Sequence, residues 1–149
     1  MKRWIVVSVF ALCALTASPL APRIAGGVAR AADQPYRVVF DLTSRDTLDQ
    51  KAVVRWIHEI STASPDVQIE VVMYGKGFEL VMPERSYLLS DVQADAKKPN
   101  VKFTVCEIAM KNNKIERGQM IEEVQTVPDG IHEIVKKQQE GWGYIKVSH

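Results

Sequence analysis

The chain has 149 residues, with 19 basic and 18 acidic side chains and a net charge of +1 at pH 7. This balance lacks the basic bias that is typical of proteins that bind nucleic acids, so no nucleic-acid partner is expected. The length suits a single domain with its own hydrophobic core.

Residues 1–31 are predicted to be a secretory signal peptide, with an approximate cleavage point after Ala31. A basic start at residues 1–3 precedes an uncharged apolar run from Trp4 to Leu15, and an A-x-A arrangement follows at residues 29–31. This order is typical of export signals. The apolar run has 12 residues, too few for the roughly 20 that a helix needs to span a bilayer. The alternative interpretations are an uncleaved membrane anchor and a wrongly chosen start codon.

Cleavage after Ala31 leaves 118 of the 149 residues and removes four of the 19 basic side chains and no acidic one, so that the remaining net charge is −3. We therefore expect a periplasmic or secreted protein that has no membrane segment once the signal is removed. Cys13 leaves with the signal, and Cys106 becomes the only cysteine. In an oxidising compartment a single cysteine is buried and inert, paired between chains, or kept for reactivity.

Predicted strands and helices alternate along residues 36–105. The apolar run 36–42 is a first strand, and apolar residues at helical spacing define an amphipathic helix over about 47–62. A second strand covers 67–74, a second helix begins near Tyr87 and ends before Lys98, and a third strand covers 101–105.

The pattern continues less regularly after Cys106. A short helical run at 107–111 is broken by two asparagines, and residues 114–121 are either a loop or one helical turn. A short strand is predicted at 124–127, then a long helix that ends near Gly141, and a last strand at 142–147. Trp142 and Tyr144 share one face of that strand, which favours packing or a subunit interface.

Strands that alternate with helices predict a parallel sheet covered on both faces. We therefore expect one α/β domain over residues 32–149, a three-layer sandwich around a mostly parallel five-stranded sheet. Ligands and chemistry gather at the carboxyl ends of parallel strands. The residues expected at that edge are Ser44, Arg45, Gly75, Lys76, Gly77, Cys106, Asp129 and Gly130.

Cys106 is the candidate reactive residue, because it joins a strand to a helix. A thiol at the positive end of a helix dipole is favoured as the thiolate, the reactive form. Glu107 opposes this if its carboxylate turns toward the sulfur. The other reading is a small buried hydrophobic residue without chemistry.

The remaining candidates are less specific. Arg45 and the Gly75-Lys76-Gly77 turn could contact an anion at the site edge, or they could be exposed loop residues. Lys136 and Lys137 are predicted to be solvated helix-end charges that need no partner. The three scattered histidines and the cysteine make no metal-site spacing, so neither a metal nor a cofactor is expected.

The sequence resembles the DsrE/DsrF-like family of small α/β proteins from sulfur-relay systems over about residues 36–147. The most specific segments are 105–111 (VCEIAMK), 127–131 (VPDGI) and 139–145 (QEGWGYI). The resemblance implies a DsrE-like, flavodoxin-like parallel-sheet fold, homotrimers or homohexamers, and a cysteine that carries sulfur as a persulfide. Only that last role is carried over to a residue of this chain, and the residue is Cys106.

Two functions of different classes follow. The first is a periplasmic sulfur carrier, a sulfurtransferase-like protein that uses Cys106 without a cofactor and exchanges sulfur with a donor or acceptor protein or a small thiol. The second is a non-catalytic oligomeric binding or scaffolding protein of the same fold, in which the cysteine is structural. A disulfide between two copies of Cys106 is a third possibility.

Overall fold

The described residues form a five-stranded sheet in which each pair of neighbouring strands is parallel. The computed structural model describes residues 36–148; the predicted signal peptide, Cys13 and His149 lie outside the described residues. The strands are β1 (Arg37–Leu42), β2 (Gln68–Met73), β3 (Val101–Cys106), β4 (Gln125–Val127) and β5 (Gly143–Lys146). The α-helices are α1 (Thr47–Ala63), α2 (Leu89–Ala96), α3 (Glu107–Asn113) and α4 (Gly130–Gln139), and short 3₁₀ helices cover Gly77–Val81 and Arg117–Gln119.

The strand order across the sheet is β4-β3-β2-β1-β5. The chain steps in one direction from β1 to β4, and α4 then carries it back to the opposite edge, where β5 pairs with β1. The predicted α/β class with a parallel five-stranded sheet is therefore confirmed. Within that class the order differs from the 2-1-3-4-5 order of flavodoxin.

The two faces of the sheet carry separate cores. Phe40 and Phe103 point into the larger core, which also holds Val53 of α1 and Val92 of α2. On the opposite face Val39 and Val72 form a small core with Ile134 of α4. Helices α1 and α2 therefore cover one face and α4 covers the other, as a three-layer sandwich requires.

Helix α3 belongs to the side of the larger core. Its residues Ala109 and Met110 are buried in that core. The helix continues through Asn112 and Asn113 instead of stopping before them, because Asn113 Nδ2 donates a hydrogen bond of 2.8 Å to the carbonyl of Ala109 one turn earlier. It ends at Lys114, which adopts the left-handed conformation with φ 55°.

Residues 114–121, for which the sequence predicts a loop or one helical turn, contain the 3₁₀ turn Arg117–Gln119. The 3₁₀ helix Gly77–Val81 was not predicted. It begins where Gly77 passes the backbone of Leu42 so closely that a side chain would collide with the Leu42 carbonyl oxygen. That approach is a tertiary contact and leaves no periodic signal in the sequence.

The face under α4 holds a buried ion pair that corrects the prediction for Lys137. Its Nζ lies 2.8 Å from Glu70 Oε2, and its side chain is only 13% exposed. Burial lowers the pKa of Lys137, but the hydrogen bond and the charge of Glu70 outweigh this and leave the pKa raised. Thr104 Oγ1 donates to the other carboxylate oxygen of Glu70 at 2.8 Å. Lys137 is therefore a partner of the sheet and not a solvated helix-end charge, because α4 turns it toward β2.

Among residues 36–148, each helix is too short or too polar to cross a bilayer.

Candidate functional site

Cys106 is the last residue of β3 and the residue immediately before α3. It pairs in register with Val127, the last residue of β4. The chain leaves β3 toward the larger core and leaves β4 toward α4 on the opposite face. Ligands of α/β proteins bind outside the carboxyl ends of parallel strands, and we refer to this position, between the starts of α3 and α4, as the crevice. Cys106 therefore lies at the edge of the sheet where ligands of parallel α/β proteins bind.

The thiol at this position is buried, with 4% of the residue exposed. The start of α4 packs directly on it. A Cβ placed on Gly130 would lie 3.0 Å from the Cβ of Cys106, 3.3 Å from Val72 Cγ1 and 3.6 Å from Tyr74 Cδ1. Only glycine lets the first turn of α4 approach the cysteine this closely.

Two helices thus begin beside Cys106. Asp129 caps the second of them, because its Oδ1 accepts a hydrogen bond of 2.9 Å from the backbone N–H of Ile131. Glu107, whose charge opposes a thiolate, is bound to the neighbouring strand, since Thr126 Oγ1 donates to Glu107 Oε1 at 2.9 Å.

A second polar group stands at the same edge of the sheet, at the ends of β1, β2 and β5. We refer to Asp41, Tyr74, Tyr144 and Lys146 as the Asp41 cluster. Asp41 is 3% exposed. Its Oδ2 accepts hydrogen bonds from the hydroxyls of Tyr74 at 3.0 Å and Tyr144 at 2.7 Å. Its Oδ1 accepts one from Lys146 Nζ at 3.1 Å.

The Asp41 cluster keeps its two phenols protonated. Burial raises the pKa of Tyr74 to about 12, and the charge of Asp41 and the hydrogen bond to it add to this effect. Burial and the same carboxylate raise the pKa of Tyr144 to about 12. Both phenols are therefore hydrogen-bond donors at neutral pH and not bases.

Tyr74 connects the Asp41 cluster to the cysteine. Its hydroxyl is bound to Asp41, its ring edge faces Gly130, and Gly130 contacts Cys106. The charge state of Cys106 also contributes to the raised pKa of Tyr74, although burial and Asp41 dominate. The Tyr74 ring and the start of α4 therefore both lie near the thiol.

The other predicted site-edge residues lie in two places. Arg45 lines a polar cavity of about 370 Å³ between the start of α1 and the loop before α2, together with Thr47, Gln50, Glu79, Glu84, Arg85, Ser86 and Tyr87. Cys106 does not line that cavity. Within residues 36–148, the Arg45 and Lys76 side chains form no hydrogen bond or ion pair.

The turn at residues 75–77 is built around its backbone. Gly75 has φ +59°, a conformation that favours glycine, and the N–H of Lys76 donates to the carbonyl of Thr43 at 2.9 Å. The carbonyl of Gly75 accepts a hydrogen bond of 3.3 Å from Asn113 Nδ2. The turn therefore touches the end of the helix that follows Cys106, while the Lys76 side chain is exposed.

Sequence reasoning missed the Asp41 cluster. A signal was present in the acidic residue inside the apolar run 37–42, because a carboxylate in a buried strand needs donors. Its partners lie 33 to 105 residues away along the chain. Only the strand pairing brings them together, since Asp41 lies opposite Lys146 in the register of β1 and β5.

Within residues 36–148, no group of three or more His, Cys, Asp or Glu side chains could hold a metal ion. The group that could act on a ligand at the crevice is the Cys106 thiol, whereas Tyr144 and Lys146 lie on β5, three strands away from β3 at the same edge of the sheet. Tyr144 is 42% exposed and the Lys146 side chain 44%. This arrangement can support thiol chemistry beside a hydrogen-bonding surface.

Comparison with known proteins agrees with this geometry. No curated protein matches the chain. Among solved structures, it is similar to MTH1491 from Methanobacterium thermoautotrophicum, a protein of unknown function, with 28% sequence identity and a TM-score of 0.70. The similarity covers 74% of this chain and 98% of that one. The family model of the DsrE/DsrF-like proteins matches residues 37–147, which suggests sulfur relay at the level of the family. The chain belongs to the DsrE/DsrF-like family.

Proposed function

We propose that this protein carries sulfane sulfur as a persulfide on Cys106. The observation that carries the proposal is the position of this thiol at the carboxyl end of β3 and directly before α3, at the edge of the sheet where α/β proteins bind their ligands. The family match supports it independently.

The proposed reaction needs no oxidant and no cofactor. The Cys106 thiolate attacks the outer sulfur of a donor persulfide R–S–SH. The donor S–S bond breaks, a new S–S bond forms on Cys106, and the donor leaves as the thiolate R–S⁻. A second thiolate then attacks the outer sulfur of the Cys106 persulfide and regenerates the Cys106 thiolate.

Burial of Cys106 suits a carrier that must hold its cargo between two encounters. At 4% exposure the thiol is shielded from other thiols until the crevice opens. Local opening of this kind costs less free energy than global unfolding. Donor and acceptor therefore reach the sulfur only while the start of α4 or the wall beside it moves.

Partners and location complete the proposal. The donor and the acceptor are a protein or a small thiol, and export by residues 1–31 would place the exchange in the periplasm or outside the cell. The family resemblance favours a homotrimer or a homohexamer. Residues 1–31 lie outside the described residues, so the location rests on their sequence alone.

Burial also favours a second candidate function, a non-catalytic oligomeric scaffold with a structural cysteine. Large apolar side chains are exposed on α3, α4 and β5: Ile108, Ile131, Val135 and Tyr144. Such side chains suit a protein contact. In this reading Cys106 reacts only when the protein unfolds.

Sulfur transfer from a small-molecule persulfide to an acceptor thiol separates the two functions. The native protein is expected to accelerate the transfer, and Cys106→Ser and Cys106→Ala are expected to abolish the acceleration while keeping the native circular dichroism. Equal rates with the native protein and Cys106→Ser would reject the carrier function and leave the scaffold.

A further inference from the structure

We propose that Tyr74, tethered by Asp41, is a positioning residue that closes the crevice over Cys106. Its part in sulfur transfer rests on the proposed carrier function, but its effect on access to the thiol does not.

Asp41, which holds the Tyr74 hydroxyl, is itself fixed in place. Asp41 lies inside the sheet on β1, is 3% exposed, and is also held by Lys146 and Tyr144 of the neighbouring β5. The hydroxyl of Tyr74 donates to this anchored carboxylate at 3.0 Å. Hydrogen bonds to a charged group are stronger than those between neutral groups. The end of the Tyr74 side chain is therefore attached to a rigid strand although the residue itself lies beyond the end of β2.

The other contacts of the Tyr74 ring place it beside the cysteine. Lys146 Nζ lies over the ring at 5.6 Å from its centroid. The ring edge lies 3.6 Å from the Cβ position of Gly130, the residue that contacts Cys106. Because Gly130 has no side chain, the Tyr74 ring supplies side-chain bulk at this point of the crevice. In this proposal a reagent reaches the buried thiol only after the ring or the first turn of α4 moves.

The matched control is Tyr144. Its hydroxyl donates to the same carboxylate oxygen at 2.7 Å, so Tyr144→Phe removes the same kind of bond from the same acceptor. Its ring is not among the three nearest neighbours of the Gly130 Cβ position. Loss of this bond therefore weakens the Asp41 cluster without freeing the ring at the crevice.

The test measures the alkylation rate of Cys106 by iodoacetamide in the native full-length protein, read on the peptide that contains Cys106. Tyr74→Phe is expected to raise this rate by about tenfold or more, the effect of one lost hydrogen bond to a charged group on a local opening. The alkylation rate of Cys106 in Tyr144→Phe is expected to stay within about threefold of the rate in the unmodified chain. A change of this size is typical of sites away from the segment that opens. Asp41→Asn is expected to raise the rate as Tyr74→Phe does.

The dependence of the alkylation rate on urea concentration distinguishes a local opening of the crevice from a general loss of stability. Labelling through a local opening of the crevice exposes little surface, and its rate should be nearly independent of urea below the unfolding transition. Equal acceleration in Tyr74→Phe and Tyr144→Phe, or a urea slope equal to that of global unfolding, would overturn the proposal. If Asp41→Asn does not fold, the two Phe variants still decide the question.

If the carrier function is wrong but the role of Tyr74 is right, the two measurements give a different combination of results. In that case the native protein takes up no sulfur from a persulfide donor, while the alkylation rates of the two Phe variants still differ. If the protein carries sulfur and Tyr74 closes the crevice, Tyr74→Phe also changes the rate at which Cys106 takes up sulfur. Tyr144→Phe changes that rate less.

Discussion

Asp41 is a carboxylate in the interior of a sheet, where an unpaired charge would be strongly unfavourable. Two phenols and an ammonium group satisfy it. The arrangement couples the protonation of the phenols to folding, because both tyrosines have raised pKa values of about 12 in the folded protein.

Alkaline titration tests this coupling. Between pH 10, the ordinary pKa of a phenol, and about 12, the unfolded chain loses the protons of Tyr74 and Tyr144 while the folded chain keeps them. Their contribution to stability is therefore complete below pH 10 and is lost as the pH rises toward 12. Urea unfolding at increasing pH should show a steeper loss of stability in the unmodified chain than in the Tyr74→Phe/Tyr144→Phe variant. Parallel curves for the two proteins would argue against the coupling.

Gly130 is the second residue whose role depends on close packing, in this case against Cys106 and Val72. In Gly130→Ala the new Cβ would lie 3.0 Å from the Cβ of Cys106 and 3.3 Å from Val72 Cγ1. Overpacking at this point is expected to lower the free energy of unfolding by about 1–3 kcal/mol, although alanine is the better helix former. Gly118→Ala is the matched control, since a Cβ there meets nothing within 4 Å, and it should stay within about 0.5 kcal/mol. Urea unfolding measures both, and equal values for the two variants would show that the crevice has room for a side chain.

At the scale of elements, α4 is the single α-helix among the described residues on its face of the sheet, and it is fixed there by few contacts. Ile134 packs on Val39 and Val72, and Lys137 is paired with the buried Glu70. The ammonium group of Lys137 also lies 4.5 Å from the centre of the Trp142 ring, which follows the helix. The ion pair therefore helps to hold the helix whose first turn covers Cys106.

Removal of Lys137 would leave the Glu70 carboxylate buried and without its cation. Lys137→Met is expected to destabilise the protein by about 3 kcal/mol in urea unfolding. Lys136→Met is the control, because the Lys136 side chain is 54% exposed and its Nζ lies 3.9 Å from Glu133. This substitution should cost less than about 1 kcal/mol. The double variant Glu70→Gln/Lys137→Met should recover part of the loss. A small effect of Lys137→Met would show that water reaches Glu70.

The elements were predictable where their signal is local. The apolar runs of β1, β2 and β3 and the helical spacing in α1 gave strands and helices within a few residues of those observed. Lys137 was misassigned because the direction in which α4 faces is set by the sheet. The Asp41 cluster was not predicted, because its residues are distant in the sequence and only strand pairing brings them together. The position of Cys106 between a strand and a helix was predictable, because the end of the strand and the start of the helix lie in one short segment.

At the scale of the whole molecule, exposed apolar side chains of α4 offer a test of the proposed homo-oligomer. Ile131 is 59% and Val135 45% exposed, one helical turn apart. If the protein is a homotrimer or homohexamer through this surface, Val135→Glu should shift its mass in light scattering toward the monomer. Gln138→Glu adds the same charge at an exposed position of the same helix and should leave the mass unchanged. A mass unaffected by Val135→Glu would exclude this surface as the contact.

The central claim is that the Cys106 thiol at the carboxyl end of β3 carries sulfur. The most direct measurement exposes the native protein to a small-molecule persulfide donor, removes the donor, blocks the remaining thiols and maps the peptide that contains Cys106 by mass spectrometry. The account predicts one additional sulfur atom on Cys106, which is lost when an acceptor thiol is added. A Cys106 peptide without added sulfur in the native protein, and sulfur uptake only after unfolding, would contradict it.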